Sequence, residues 1–291
     1  MAEKKSLIDK IQDLDPKIIY AILLVSLLIP YVRPLGLPIP ISPETRAYWD
    51  YITHMPPGSV VAVQLASDPS TIPQTRSSHQ ITILRLFEQD CKVFFFTLRD
   101  DAPPLHEEMM KWVEAHLSAG KTITYGVNYV NIGYVADAEA TIASLVADVK
   151  GLVEQDAYGN SLSSLPMMAD INTGADFDLV VWNDGSRGIY MYALRQWREK
   201  LGTPLVIIAA TINKPGIMNY IQSGQVAGGA FGVDGGAQIE TISGYLGDAK
   251  KATEPGSLSA LTLTILLLVS NTIYISKRFG KQPEIKGGEV K

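Results

Sequence analysis

The chain has 291 residues, a formal net charge of −5, 46% hydrophobic residues and one cysteine. That length buries a proper core without disulfides or metal staples, and a lone Cys91 excludes an internal disulfide. The acidic balance offers no clustered Lys and Arg for a phosphate backbone, so no nucleic acid partner is expected.

Residues 1–17 are a polar lead that mixes Lys4, Lys5, Lys10 and Lys17 with Asp9, Asp13 and Asp15. Residues 18–32 (IIYAILLVSLLIPYV) are apolar. Extended to residue 38 through a proline-rich exit, with Arg33 snorkelling to the headgroups, they read as a first transmembrane helix. The acidic residues in the lead and the Arg33-Pro34 that follows favour an uncleaved anchor over a signal peptide. A short linker (PLGLPIPISPE) then opens a domain over 43–250.

Inside it, apolar runs alternate with amphipathic stretches. Strands are predicted over 59–66 (SVVAVQLA), 92–98 (KVFFFTL), 122–127 (TITYGV), 178–182 (DLVVW) and 204–210 (PLVIIAA). Helices are predicted over 74–89, 105–117, 139–149, 188–201 and 237–246. Near-continuous apolar strands separated by helices predict an α/β fold: a three-layer, Rossmann-like, open and mostly parallel sheet of about five strands. Residues 151–177 carry no long periodic element and read as a lid, ligand loop or subunit contact, or as surface loops with a short helix near 165–169. A second linker (KKATEPGS) precedes residues 257–276, a second transmembrane helix whose one strongly polar side chain is Asn271. A basic tail, 277–291, follows with Lys277, Arg278, Lys281, Lys286 and Lys291. Lys and Arg at both ends place both termini in the cytoplasm and the domain outside it, giving a two-pass protein of the cell membrane. The bilayer is the first expected partner, and the tail suits anionic headgroups.

Motifs for chemistry are weak. Ala115 to Thr122 fits a relaxed phosphate-loop pattern, but it follows a predicted helix and leads into a predicted strand, the reverse of the order that aims helix N–H groups at a phosphate. Gly120 is better read as a helix-terminating glycine. Ser118 and Lys121 have the spacing of a Ser-x-x-Lys pair but no partner motif. His106-Glu107-Glu108-Met109-Met110 begins like a zinc-protease helix and lacks the second histidine. The four histidines (His54, His79, His106 and His116) are scattered and read as surface or helix-face residues, and no Gly-x-Ser-x-Gly elbow is present.

Two features remain as candidate sites. Open parallel sheets bind ligands beyond the carboxyl ends of their strands. Those ends offer Ser67 and Asp68; Arg99, Asp100 and Asp101; Asn128 and Asn131; Asn183, Asp184 and Ser186; and Thr211, Asn213 and Lys214. Such groups suit a small polar ligand, or a divalent cation held by Asp oxygens, and they are equally ordinary turn and helix-cap residues. The second feature is Gly224, Gly228, Gly232 and Gly236, spaced by four. On a helix they would form a stripe for close packing in an oligomer; otherwise the stretch is a flexible loop.

Here the sequence resembles a group of membrane-anchored prokaryotic proteins that share a Tyr-Ile/Leu-Gln-Ser-Gly-Gln segment before a glycine-rich run, present as Tyr220 to Gln225. The likeness extends through Tyr125 to Tyr134, Tyr158-Gly-Asn, Leu165 to Met168 and Asp176 to Val181. The group has no established activity, so the resemblance implies common architecture only. The leading expectation is a non-catalytic protein that assembles with itself or a membrane partner, with small-ligand sensing at the strand ends as an accompaniment. The alternative is an enzyme using Asp68, Asp100 and Asp184, with a divalent cation. No cofactor is named by the sequence.

Overall fold

The computed structural model describes residues 15–33, 35–185, 187–245 and 247–280. The lysines and aspartates before residue 15, most of the basic tail, and Ser186 lie outside them. The chain divides into two compact units, one of residues 38–250 and one formed by the two ends.

The larger unit is an α/β domain. Its elements are α2 (Pro43–Thr53), β1 (Val60–Leu65), α3 (Ile72–Glu88), β2 (Lys92–Thr97), α4 (Pro103–His116), β3 (Tyr129–Tyr134), α5 (Glu139–Ala147), α6 (Val149–Leu152), β4 (Leu179–Asp184), α7 (Tyr190–Ala193), β5 (Leu205–Ala209), α8 (Lys214–Gln222), β6 (Gly228–Phe231) and α9 (Gly232–Ser243). Its six strands are all parallel, in the order β3-β2-β1-β4-β5-β6. This is the strand order of the Rossmann fold, with its switch point between β1 and β4. Alternate strand residues feed two cores. Ala62, Phe94, Phe96, Val180, Trp182 and Ile207 meet α5, the helical stretch after β4, and α8. Val61, Val63, Val93, Phe95, Val181 and Ile208 meet α2, α3, α4 and α9. The three layers follow from this burial on both faces.

Local signals set the element ends. Pro43 and Pro103 occupy first helical positions, where a missing N–H costs nothing, and Ser42 Oγ accepts the Thr45 N–H at 3.4 Å. Gly244, at φ +78°, stops α9. Beyond α7 the chain widens into a π-helical turn over Leu194–Glu199. Leu194 and Trp197 stay in the core, while Leu201, at the end of the predicted helix, is 42% exposed.

Two strand assignments change. The stretch 122–127 is irregular and runs into a turn over 126–128, closed by the Asn128 side chain accepting the Thr124 N–H at 2.8 Å and by Gly126 at φ +77°. The third strand starts only at Tyr129. A sixth strand, Gly228–Phe231, runs through the glycine-rich stretch. Gly224 therefore lies in a turn, Gly228 in β6, Gly232 at the start of α9 and Gly236 within it, so no helical stripe forms.

Residues 151–177 are structured without being regular. Three 3₁₀ turns, Leu162–Ser164, Pro166–Ala169 and Gly174–Asp176, carry Leu162, Met167, Met168 and Phe177 into the core. The segment also covers the free edge of β3. The Ala157 N–H donates to Asn131 O at 2.9 Å, the Met167 N–H to Gly126 O at 2.8 Å, and Tyr125 Oη to Asp156 Oδ2 at 2.6 Å. A covered edge cannot template pairing with another chain.

In the smaller unit, α1 (Pro16–Val32) begins behind the Asp15 cap, and α10 (Asp248–Gly280) is the longest helix. The stretch Asp248–Ser276 is long and apolar enough to cross a membrane; α1, at 17 residues, is shorter than that measure. Both present apolar side chains outward, among them Leu24, Leu28, Leu261, Ile265 and Leu268. The buried Glu254 carboxylate accepts the N–H groups of Leu35 at 2.7 Å and Gly36 at 2.9 Å, joining the exit of α1 to α10.

Candidate functional site

The carboxyl edge of the sheet holds part of the predicted set. Ser67, Asp68, Arg99, Asp100, Asn183, Asp184, Thr211 and Asn213 lie at or just beyond the ends of β1, β2, β4 and β5. Asn128 and Asn131 do not, because the third strand lies further along the chain. Asn128 is at the amino end of β3, and Asn131 is inside it, where Oδ1 accepts the Gly133 N–H at 2.9 Å and shapes a bulge at Gly133 (φ +74°).

At the switch point the groups are turned inward. Ser67 Oγ donates to Asn183 Oδ1 at 2.7 Å and shares a 2.7 Å hydrogen bond with Thr75 Oγ1. Asn183 Nδ2 lies 3.3 Å from His79 Nδ1. Ser67, Thr75, His79 and Asn183 are all fully buried. The loops after β1 and β4 touch: a Cβ at Gly185 would stand 2.8 Å from Thr71 Oγ1 and 3.1 Å from Ala66 O. At the described residues the two loops therefore stand in close contact over the switch point.

Carboxylates from within the chain hold the loops that lead from β1 and β4 into the helices after them. Asp68 Oδ1 accepts the N–H groups of Ser70 and Thr71, each at 2.8 Å, and the Ser70 hydroxyl at 2.5 Å. Burial pushes this carboxyl up, but the hydrogen bonds from Ser70 and Thr71 prevail and hold it below its ordinary range. Asp184 accepts the N–H groups of Arg187, Gly188 and Tyr190 at 3.3, 3.2 and 3.0 Å. It is fully buried, and there burial prevails and raises its pKa. Of these amides the Tyr190 N–H belongs to a helix start and the others to the loops, and each set is bonded to a carboxylate of its own loop.

The remaining charges pair locally. Arg99 makes a two-pronged contact with Asp101, Nε to Oδ1 at 2.8 Å and Nη2 to Oδ2 at 2.7 Å, and stands 3.8 Å from Asp68. Asp100 is exposed. The Thr211 N–H donates to Gln74 Oε1 at 3.1 Å, and Asn213 Nδ2 to Gly185 O at 3.4 Å. Lys214 pairs with Glu44 at 2.7 Å. Among the described residues no three His, Cys, Asp or Glu side chains gather in a cation-binding group, so Asp68, Asp100 and Asp184 do not form the suggested cluster. Asp184→Ala is expected to cost about 1–3 kcal/mol by stripping three amides of their acceptor, read by urea denaturation in EDTA. Added Mg²⁺, Ca²⁺ or Mn²⁺ should leave the wild-type midpoint unchanged; a metal-dependent rise that this substitution abolishes would restore the cation reading.

The sequence did not single out His79 and His106 as buried residues. They are 0% and 4% exposed, and desolvation lowers their pKa values to about 3 and about 4. His79 belongs to the Ser67–Asn183 network, and His106 stands edge-on to Phe95 with ring centroids 4.5 Å apart. The helical spacing of His79 among Thr75, Ile83 and Leu86 was the signal available. Cys91 is buried, with a thiol pKa raised to about 11 chiefly by burial.

No family model, no curated protein and no solved structure matches the chain.

Proposed function

We propose that this is a two-pass membrane protein whose Rossmann-like domain is a non-catalytic module for assembly with itself or with a membrane partner. The observation that carries this reading is the state of the switch point. Ser67 is bonded to Asn183 and Asn183 to His79 there, and Asp68 and Asp184 are tied to the amides of the loops that lead into the following helices. A nucleotide or sugar phosphate would have to displace fixed carboxylates of its own sign.

Of the two surfaces the sequence offered for assembly, Gly228, Gly232 and Gly236 of the glycine-rich stretch face the interior, which leaves the 151–177 segment, together with the exposed side chains of and beside the β3 strand it covers. Val127, Tyr134 and Tyr158 are 44%, 49% and 51% exposed there. Tyr158 is held in place, its ring edge-on to Tyr125 and its hydroxyl donating to Glu107. Rigid aromatic side chains of this kind are favoured interface anchors. The double variant Val127→Glu/Tyr134→Glu is expected to shrink the detergent-solubilised particle while leaving the urea midpoint in place; an unchanged particle mass would remove this surface from the account.

In this reading α1 and α10 both span, the termini are cytoplasmic and the domain is outside. A cysteine introduced at residue 284 should react with an impermeant maleimide only after the cytoplasmic side is opened. The native Cys91 contributes little background, being 1% exposed. Reaction in intact cells would reverse the orientation.

A further inference from the structure

The smaller unit contains an apolar groove of about 560 Å³ between α1 and α10, with Lys17, Ala21, Val25 and Ile29 along one side and Leu258 and Thr262 on the other. The hydroxyls bordering it are turned away into their own helices. Ser26 Oγ donates to Leu23 O at 2.8 Å, and Thr262 Oγ1 to Leu258 O at 2.9 Å. The wall is therefore hydrocarbon in character, and among the described residues the charges at its end are the Lys17 ammonium, which lines the groove, and the Asp15 carboxylate, which accepts the Lys17 N–H at 2.9 Å. Small side chains at Ala21 and Ser26 hold the groove open. From Lys17 to Ile29 the helix rises about 18 Å, close to the roughly 15 Å depth of one hydrocarbon leaflet. A groove that starts at a cation on the membrane surface and runs one leaflet deep is complementary in length to one acyl chain and in charge to one anionic headgroup.

We propose that this groove is a specific site for an anionic glycerophospholipid, one acyl chain lying along Ala21, Val25 and Ile29 and the phosphate paired with Lys17. The site rests on α1 spanning the bilayer, as in the preceding reading. Its orientation there puts Lys17 at the cytoplasmic leaflet, which is rich in anionic lipid.

The test is a non-denaturing mass spectrum of the full-length, delipidated protein in detergent, titrated with phosphatidylglycerol and phosphatidylcholine of the same acyl chains. One juxtamembrane lysine contributes about 1 kcal/mol toward an anionic headgroup, so wild type should retain phosphatidylglycerol about fivefold better. Lys17→Gln should erase that preference while still binding both lipids. Ala21→Trp, which fills the groove, should lower retention of both. Equal retention of the two lipids by wild type, or undiminished retention by Ala21→Trp, overturns the proposal. The labelling of a cysteine at residue 15 separates the two claims: reaction from the domain's side would mean that α1 does not span, whereas reaction only from the opposite side, together with no lipid preference, would sink the lipid site alone.

Discussion

Replacing Gly228 with alanine should destabilise the domain by about 3 kcal/mol or more, and Gly228→Leu should leave no folded domain. A Cβ at this position would stand 2.3 Å from Tyr48 N and 2.6 Å from Tyr48 Cα, inside the backbone of α2. No rotamer change relieves a clash with backbone. Moving α2 outward would also unseat Tyr48, which is fully buried and shares a 2.7 Å hydrogen bond with Thr82 Oγ1. Gly224 is the control from the same four-residue register. It has φ +77° and open space around it, so Gly224→Ala should cost only the ~1–2 kcal/mol of a left-handed alanine. Urea denaturation distinguishes the two. A Gly228→Ala variant of wild-type stability but altered particle mass would contradict an interior role and restore the oligomer contact.

Acidification should weaken the domain through His79 and His106. Each is neutral and buried in the folded state, with pKa values near 3 and 4, and each returns to about 6.5 on unfolding. The unfolded chain therefore binds more protons once the pH falls below about 6.5, and stability declines from there down to about pH 4. Between them the two groups should remove on the order of 5 kcal/mol by pH 4. The geometry agrees in sign, because His79 Nδ1 faces the Asn183 amide nitrogen, and a proton added there would meet another donor. His106→Phe, chosen to preserve packing on Phe95, and His79→Gln should each flatten the dependence of unfolding free energy on pH between 7 and 4.5. Variants that keep the wild-type slope would assign the acid sensitivity to other groups.

How much was legible depended on what each strand had to do. β1, β2, β4 and β5 sit in the middle of the sheet and read as unbroken apolar, β-branched or aromatic runs, so their burial was visible in composition. β3 lies at an edge, and its polar Asn131 and bulging Gly133 disguised it, while TITYGV just upstream imitated a better strand until Gly126 and Asn128 turned it. The whole of the third strand-end site moved with that error. β6 was hidden for the opposite reason. Its glycines weaken strand propensity, but the close approach of α2 to Gly228 demands them, and that constraint exists only in three dimensions. At the switch point the residue types suit caps and ligands alike, and sequence alone could not choose between them. The choice rests on distances: Asp68 and Asp184 find their amides within their own loops.

If the Rossmann-like domain serves assembly, as proposed, the protein leaves the membrane as an oligomer or with a partner. The most direct test is the non-denaturing mass of the full-length protein extracted from its own membrane in mild detergent. A particle of two or more chains, or one chain with a partner protein, carrying lipid adducts and no polar small molecule, is expected. A single chain that repeatedly carries a polar metabolite or cation, lost in Asp184→Ala, would contradict it.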